Sequence, residues 1–138
     1  MTSVAIVDSG PLVAAAARSD PEHDACLGAL RTPGLRLVIP ALCVAEVSYF
    51  LERRGGATAA ARFIRGLPGF DVRQPAPEEW ERIAELVEEY SDLRLGVVDS
   101  SVISLAERLK TDIVMTLDHR HFGTVRPRHC EAFRLLPP

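Results

Sequence analysis

Residues 95–118, LGVVDSSVISLAERLKTDIVMTLD, decide the fold. Two carboxylates bracket this stretch, Asp99 near its front and Asp118 at its end. Between them Val102, Ile103, Leu105, Ala106 and Leu109 recur at the three-and-four spacing of a helix with one apolar stripe. A break at Lys110, Thr111 and Asp112 follows, and residues 113–117 then read as a short buried strand. A helix over 99–109 is about 16 Å long, and the strand returns about the same distance. The chain goes down the helix and comes back up the strand, so Asp99 and Asp118 are expected on one edge of the sheet. That edge, outside the carboxyl ends of the strands, is where open α/β proteins place their ligand sites.

The same alternation extends outward. Residues 4–7 form an apolar run ending at Asp8, followed by Ser9, Gly10, Pro11 and an apolar segment over 12–17, which reads as strand, tight turn and helix. Ser19 and Glu22 have capping-box spacing, and Pro21 suits the first position of a helix running to about Leu30. Residues 37–39 are the second strand, closed by Pro40. A helix over 41–53 carries Leu42, Val47, Tyr49, Phe50 and Leu51, with Glu46 in its middle. Gly55 and Gly56 end it, and 58–67 give another short helix. Residues 70–73 read as a weak edge strand. Trp80, Ile83, Ala84, Val87 and Tyr90 stripe a helix over 77–90, and 131–136 supply a fifth, edge-like strand. Strands alternating with helices predict a three-layer α/β/α sandwich around a mostly parallel five-stranded sheet.

The chain has 138 residues, 47% of them apolar, which fits one domain over 1–138 with a sizeable core and argues against disorder. No apolar run reaches the roughly 20 residues of a membrane helix, and Asp8 interrupts the first run before it can act as a secretory signal. Cys26, Cys43 and Cys130 are odd in number, widely spaced and without a CxxC pair. Neither disulfides nor a cysteine metal site is suggested, and a reduced cytoplasmic setting is the expectation. The formal charge of −3 speaks at first against a nucleic-acid partner.

Asp8, Glu46, Asp99 and Asp118 all lie in or beside apolar runs. Each has an ordinary reading: a cap for Asp99, turn residues for Asp8 and Asp118, a solvent-facing or arginine-paired Glu46. If the three aspartates share one edge and Glu46 leans over it, however, four charges meet and repel in a low-dielectric pocket. A hard divalent cation resolves that repulsion. Mg²⁺ takes oxygen ligands and is held by one or two carboxylates with substrate phosphate. No histidine or cysteine sits in register with these acids, which disfavours zinc.

The residues carry a resemblance. VAIVDSGPLVA (4–14), ALCVAEVSYF (41–50), LRLGVVDSSVISLAERL (93–109) and DIVMTLDHRHF (112–122) together resemble the PIN-domain family, and more narrowly its VapC-type toxins of bacterial VapBC toxin–antitoxin modules. The resemblance covers nearly the whole chain. It implies a metal site of Asp8, Glu46, Asp99 and Asp118, with Asp8 and Asp99 the surest ligands. It also implies supporting roles for Thr116, in the TxD pattern, and for Ser9. The implied activity is Mg²⁺- or Mn²⁺-dependent endoribonuclease cleavage, with an RNA substrate, a homodimer and a cognate VapB-type antitoxin that blocks the site. Setting the four site carboxylates aside turns the formal charge from −3 to +1. Basic residues gather after Asp118, and Arg120, Arg126 and Arg128 are the candidate RNA contacts, a solvated basic tail being the alternative. A housekeeping RNA-processing PIN nuclease and a non-catalytic α/β interaction module remain as other readings.

Overall fold

The computed structural model describes residues 2–138. Along the chain follow β1 (Ser3–Val7), α1 (Ser9–Ala16), α2 (His23–Leu30), β2 (Leu35–Pro40), α3 (Ala41–Gly66), β3 (Asp71–Arg73), α4 (Glu79–Glu89), α5 (Val97–Leu109), β4 (Ile113–Met115), α6 (His119–Thr124) and β5 (Arg134–Leu136). The five strands make one sheet in the order β3-β2-β1-β4-β5, with every pairing parallel. Right-handed crossovers with that order put α1, α2 and α3 on one face and α4, α5 and α6 on the other. The expected three-layer α/β/α architecture is therefore observed, with a sheet that is parallel throughout.

β1 lies at the centre because it can be covered on both sides: Ala5, Ile6 and Val7 are fully buried, as the unbroken apolar run requires. Its register pairs Ala5 with Ile113 and Val7 with Met115. The chain turns back at β1, with β2 to one side and β4 to the other, and this reversal opens a crevice at the carboxyl ends of β1 and β4. The Thr111 hydroxyl locks the lower end of the same pair by donating to the Val4 carbonyl at 2.5 Å.

Several boundaries differ from the sequence expectation, each for a local reason. α5 begins two residues early with Gly96 as its N-cap, so Asp99 is in the first helical turn rather than at the cap. α3 runs on through Gly56, whose φ of 72° only glycine adopts freely, so two helical halves meet at a kink where two separate helices were expected. Asp20, not Ser19, supplies the bond that opens α2: its Oδ1 accepts from the Glu22 amide at 2.9 Å. On α4 the core takes Ile83 and Leu86 and leaves Trp80, Ala84 and Val87 exposed. α6 was not expected at all. No helix among the described residues is long and apolar enough to cross a membrane.

Candidate active site

Parallel pairing brings Asp8, the residue after β1, next to Thr116, the residue after β4. The Asp8 amide donates to the Met115 carbonyl at 2.9 Å and continues the ladder one step beyond the strands. Asp8 is only 5% exposed and Thr116 fully buried. The Thr116 hydroxyl donates to Asp8 Oδ2 at 2.8 Å and accepts from the Asp118 amide at 3.0 Å. One buried hydroxyl thus fixes the orientation of the first acid and the backbone of the last.

Asp118 caps α6, its Oδ1 accepting from the His121 amide at 3.0 Å. The first turn of α5 presents Asp99 to the same place. α3 brings Glu46 over the crevice, one turn from the buried Cys43 and beside Val47, which holds the helix to the core. The four acids line one open cleft of about 580 Å³ together with Ser9, Gly10, Val13, Asp20, Phe50, Arg54 and Leu117. Glu46 and Asp99 also line an adjoining recess with Arg94, Gly96, Val97 and Val98.

The electrostatics are strained in one direction. Burial, and then the charge of Asp99, push the Asp8 carboxyl from 3.8 up to about 7, with Glu46 adding to the rise; the Thr116 hydroxyl and the Ser9 backbone pull the other way. Burial also raises Asp99; His121 offsets part of this, while Asp118 and Glu46 add to it. Among the described residues no arginine or lysine pairs with any of the four acids. Ser9 Oγ is buried without a hydrogen-bond partner at the floor of the cleft. An all-oxygen carboxylate set short of positive charge, beside an unpartnered hydroxyl, fits a hydrated divalent cation.

The expectation that no histidine joins the acids is overturned. His121 Nδ1 lies 2.9 Å from Asp99 Oδ2 and 2.8 Å from Asp118 Oδ2. The signal was present in the sequence as Asp118 followed three residues later by His121, since a helix capped by the aspartate folds that histidine back toward it. Arg54 and Arg94 were also missed. Arg54 lines the cleft while its Nη1 donates to Asp20 Oδ2 at 2.8 Å.

The basic residues after Asp118 do not form a single patch at the cleft. Arg120 is exposed on α6, next to the site. Arg126 lies beside a separate depression with Cys130, Glu131 and Ala132. The guanidinium of Arg128 pairs with Glu85 at 2.7 Å and its amide donates to Glu107 at 2.8 Å. The next residue, His129, meets the Thr111 carbonyl at 2.7 Å, at the amino end of β4 and so at the opposite edge of the sheet.

Residues 5–126 match the PIN domain family. The chain is 31% identical over 134 residues to Ribonuclease VapC26 of Mycobacterium tuberculosis (strain ATCC 25618 / H37Rv), a similarity spanning 96% of this chain and 99% of that protein. The fold is shared with Mycobacterium tuberculosis VapC20, a sarcin-ricin loop cleaving toxin, at a TM-score of 0.74 and 18% identity over 84% of this chain and 91% of that one. It is shared also with VapBC2 from Rickettsia felis, solved bound to a DNA fragment from its promoter, at a TM-score of 0.67 and 14% identity over 96% and 98% of the two chains.

Proposed function

The chain belongs to the PIN-domain family, and we propose that it is the toxin of a type II toxin–antitoxin pair, a divalent-metal-dependent endoribonuclease held in check by a cognate VapB-type antitoxin. The observation that carries this reading is the convergence of Asp8, Glu46, Asp99 and Asp118 on one cleft, with no arginine or lysine among the described residues paired to any of them. A relative similar along its full length is a ribonuclease, and RNA phosphodiester hydrolysis is what such a centre does well.

Asp8 and Asp99 hold the metal, and Glu46 and Asp118 complete the set. When bound, a Mg²⁺ or Mn²⁺ ion supplies charge to offset the scissile phosphate and acidifies the attacking water. Thr116 keeps Asp8 aimed into the cleft through its 2.8 Å bond. The buried Ser9 hydroxyl in the cleft lining is placed to meet a water of the hydrated ion. Arg54 and Arg94, in the lining of the cleft and its adjoining recess, and the exposed Arg120 on α6 receive the phosphates on either side of the cleaved bond. Arg126 and Arg128, named from the sequence for the same task, lie away from the cleft, Arg126 at a separate depression and Arg128 paired with Glu85.

The antitoxin blocks the cleft by laying a segment across it, with an arginine that pairs bidentately with the aspartates and takes the place of the metal. Exposed Tyr49 and Phe50 on α3 line its approach. Trp80, Ala84 and Val87, left outward on α4, suit a homodimer contact. The protein acts in the cytoplasm, where its RNA and its antitoxin are made.

Purified chain incubated with RNA tests the reading. Cleavage is expected with Mg²⁺ or Mn²⁺, none in excess chelator, and strong suppression in the stoichiometric antitoxin complex. Metal-independent cleavage, or a complex that cuts as fast as free chain, would refute the assignment.

A further inference from the structure

His121 reaches the acids from α6, and its ring sits against Asp99 and Asp118. Its amide is engaged by Asp118 Oδ1 at 3.0 Å, which fixes the residue's backbone. Its Nδ1 then faces Asp99 Oδ2 at 2.9 Å and Asp118 Oδ2 at 2.8 Å. A ring nitrogen has one proton or one lone pair to offer, so one atom is aimed at two carboxylate oxygens that both need more than it can give as a donor. Nδ1 and one oxygen from each acid lie within 4.8 Å of one another. The ring is half-buried, which limits competition from water. Three ligand atoms from α5, the β4–α6 junction and α6 therefore converge on one point from different elements.

The chemistry of this set differs from that of four carboxylates. Mg²⁺ prefers oxygen and retains its waters, whereas an imidazole nitrogen shifts a mixed site toward first-row transition ions. We infer that His121 is a nitrogen ligand of the metal centre with Asp99 and Asp118, and that it makes the centre prefer an ion such as Mn²⁺ or Co²⁺ over Mg²⁺. The inference rests on the metal-dependent reading above and deepens it by naming the ion class. In the ligating ring Nε2 carries the proton and Nδ1 presents its lone pair. Asp118 has then two tasks on two oxygens: Oδ1 caps the helix that carries the histidine, and Oδ2 binds beside it.

Pulsed electron paramagnetic resonance on the intact chain loaded with Mn²⁺ reads the ligand directly. Nitrogen-14 modulation is expected from the wild-type protein and is lost in His121→Ala. Titration calorimetry with Mn²⁺ and Mg²⁺ gives the second reading: His121→Ala weakens Mn²⁺ by about tenfold to a hundredfold and Mg²⁺ much less. His121→Asp, which supplies an oxygen donor instead, binds Mg²⁺ at least as tightly as the wild-type chain and shows no nitrogen modulation. Absence of nitrogen coupling in the wild-type protein, or an unchanged Mn²⁺-to-Mg²⁺ ratio in His121→Ala, overturns the proposal. If Asp99→Asn loses both ions while His121→Ala loses neither, the metal centre stands and His121 is excluded from it. A wild-type chain that binds neither ion overturns the metal-centre reading itself.

Discussion

Asp8, Glu46, Asp99 and Asp118 at the carboxyl edge of the sheet stand against Glu79, Glu85 and Glu107 on the α4–α5 face, and the two groups differ in what neutralises them. Glu107 accepts both arms of the Arg82 guanidinium at 2.9 and 2.8 Å, and Glu85 receives Arg128 at 2.7 Å. Glu79 is paired with Arg108 at 3.0 Å and accepts from the Ser104 hydroxyl at 3.0 Å. Burial raises the Glu107 carboxyl, but the bonds from Arg82 and from the Arg128 amide bring it below its ordinary value. At the carboxyl edge the balance goes the other way, and Asp8 rises to about 7. Both groups are dense in acids and partly covered. Among the described residues the absence of a paired arginine or lysine, rather than the density, is the ground for proposing a cation at the first group.

The sharpest way to break the comparison is to remove one acid from each group and measure RNA cleavage. Asp99→Asn and Asp8→Asn keep the shape but remove a charge the ion needs, and each is expected to lower the rate by about 10²–10³ while the fold survives. Glu107→Gln should leave the rate unchanged within about twofold. Comparable losses in both groups would erase the distinction drawn above.

The two groups also predict opposite dependence of metal-free stability on pH. The Asp8 carboxyl is raised in the folded state, so its contribution is complete below its unfolded value of 3.8 and is lost as pH climbs toward about 7. Glu107 is lowered, so its contribution is present above 4.5 and lost as pH falls through its folded value. Asp8→Asn is therefore expected to raise metal-free stability at pH 8 by on the order of 2–4 kcal/mol, at about 1.4 kcal/mol for each tenfold change in proton affinity. Chemical denaturation in chelator at pH 5 and pH 8 checks this, and a variant no more stable than the parent at pH 8 contradicts it. Adding the ion closes the gap from the other side. At a hundred times its dissociation constant it should stabilise the wild-type chain by about 2.7 kcal/mol, seen as a raised melting temperature that Asp99→Asn abolishes.

The smallest expected effects lie in the paired group. Glu107→Gln leaves Arg82 without its bidentate partner and should cost about 1–2 kcal/mol, less than a fully buried pair because the rim of this network is wet. Arg128→Ala removes only the exposed bond to Glu85, and about 0.5 kcal/mol or less is expected by urea titration.

How far the sequence could be read follows from the range of each signal. The shared edge of Asp99 and Asp118 was legible because a helix and a strand of matched length leave the chain no other return. Asp8 was legible because residues 4–7 are apolar at every position, the mark of a strand covered on both faces. Thr116 and Glu46 came through the family resemblance more than through any pattern of their own. α6 left no periodic trace: a six-residue helix with one buried residue, Phe122, and Gly123 inside it is too short to show a stripe. With α6 unseen, His121 counted as one more basic residue in a tail. The fate of that tail was equally hidden, since Arg128 is spent on Glu85, 43 residues away in the chain, and no local pattern records so distant a partner. On α4 the expected stripe has Ile83 in the core but takes Val87 where the structure buries Leu86, because both are apolar and only the packing against α5 decides between them.

The hydrogen bond from Thr116 to Asp8 closes a span of 108 residues, and that span has a meaning in time. A ribosome adds about 5–20 residues per second, so roughly 5–20 seconds separate the synthesis of the first acid from that of the threonine that orients it. Throughout this interval the nascent chain carries Asp8 at the end of β1 but lacks β4, the strand that pairs with β1 and holds its acid in place. The cleft cannot be assembled piecemeal from the amino terminus. The carboxylate cleft is therefore complete only once β4 and Thr116 have joined β1.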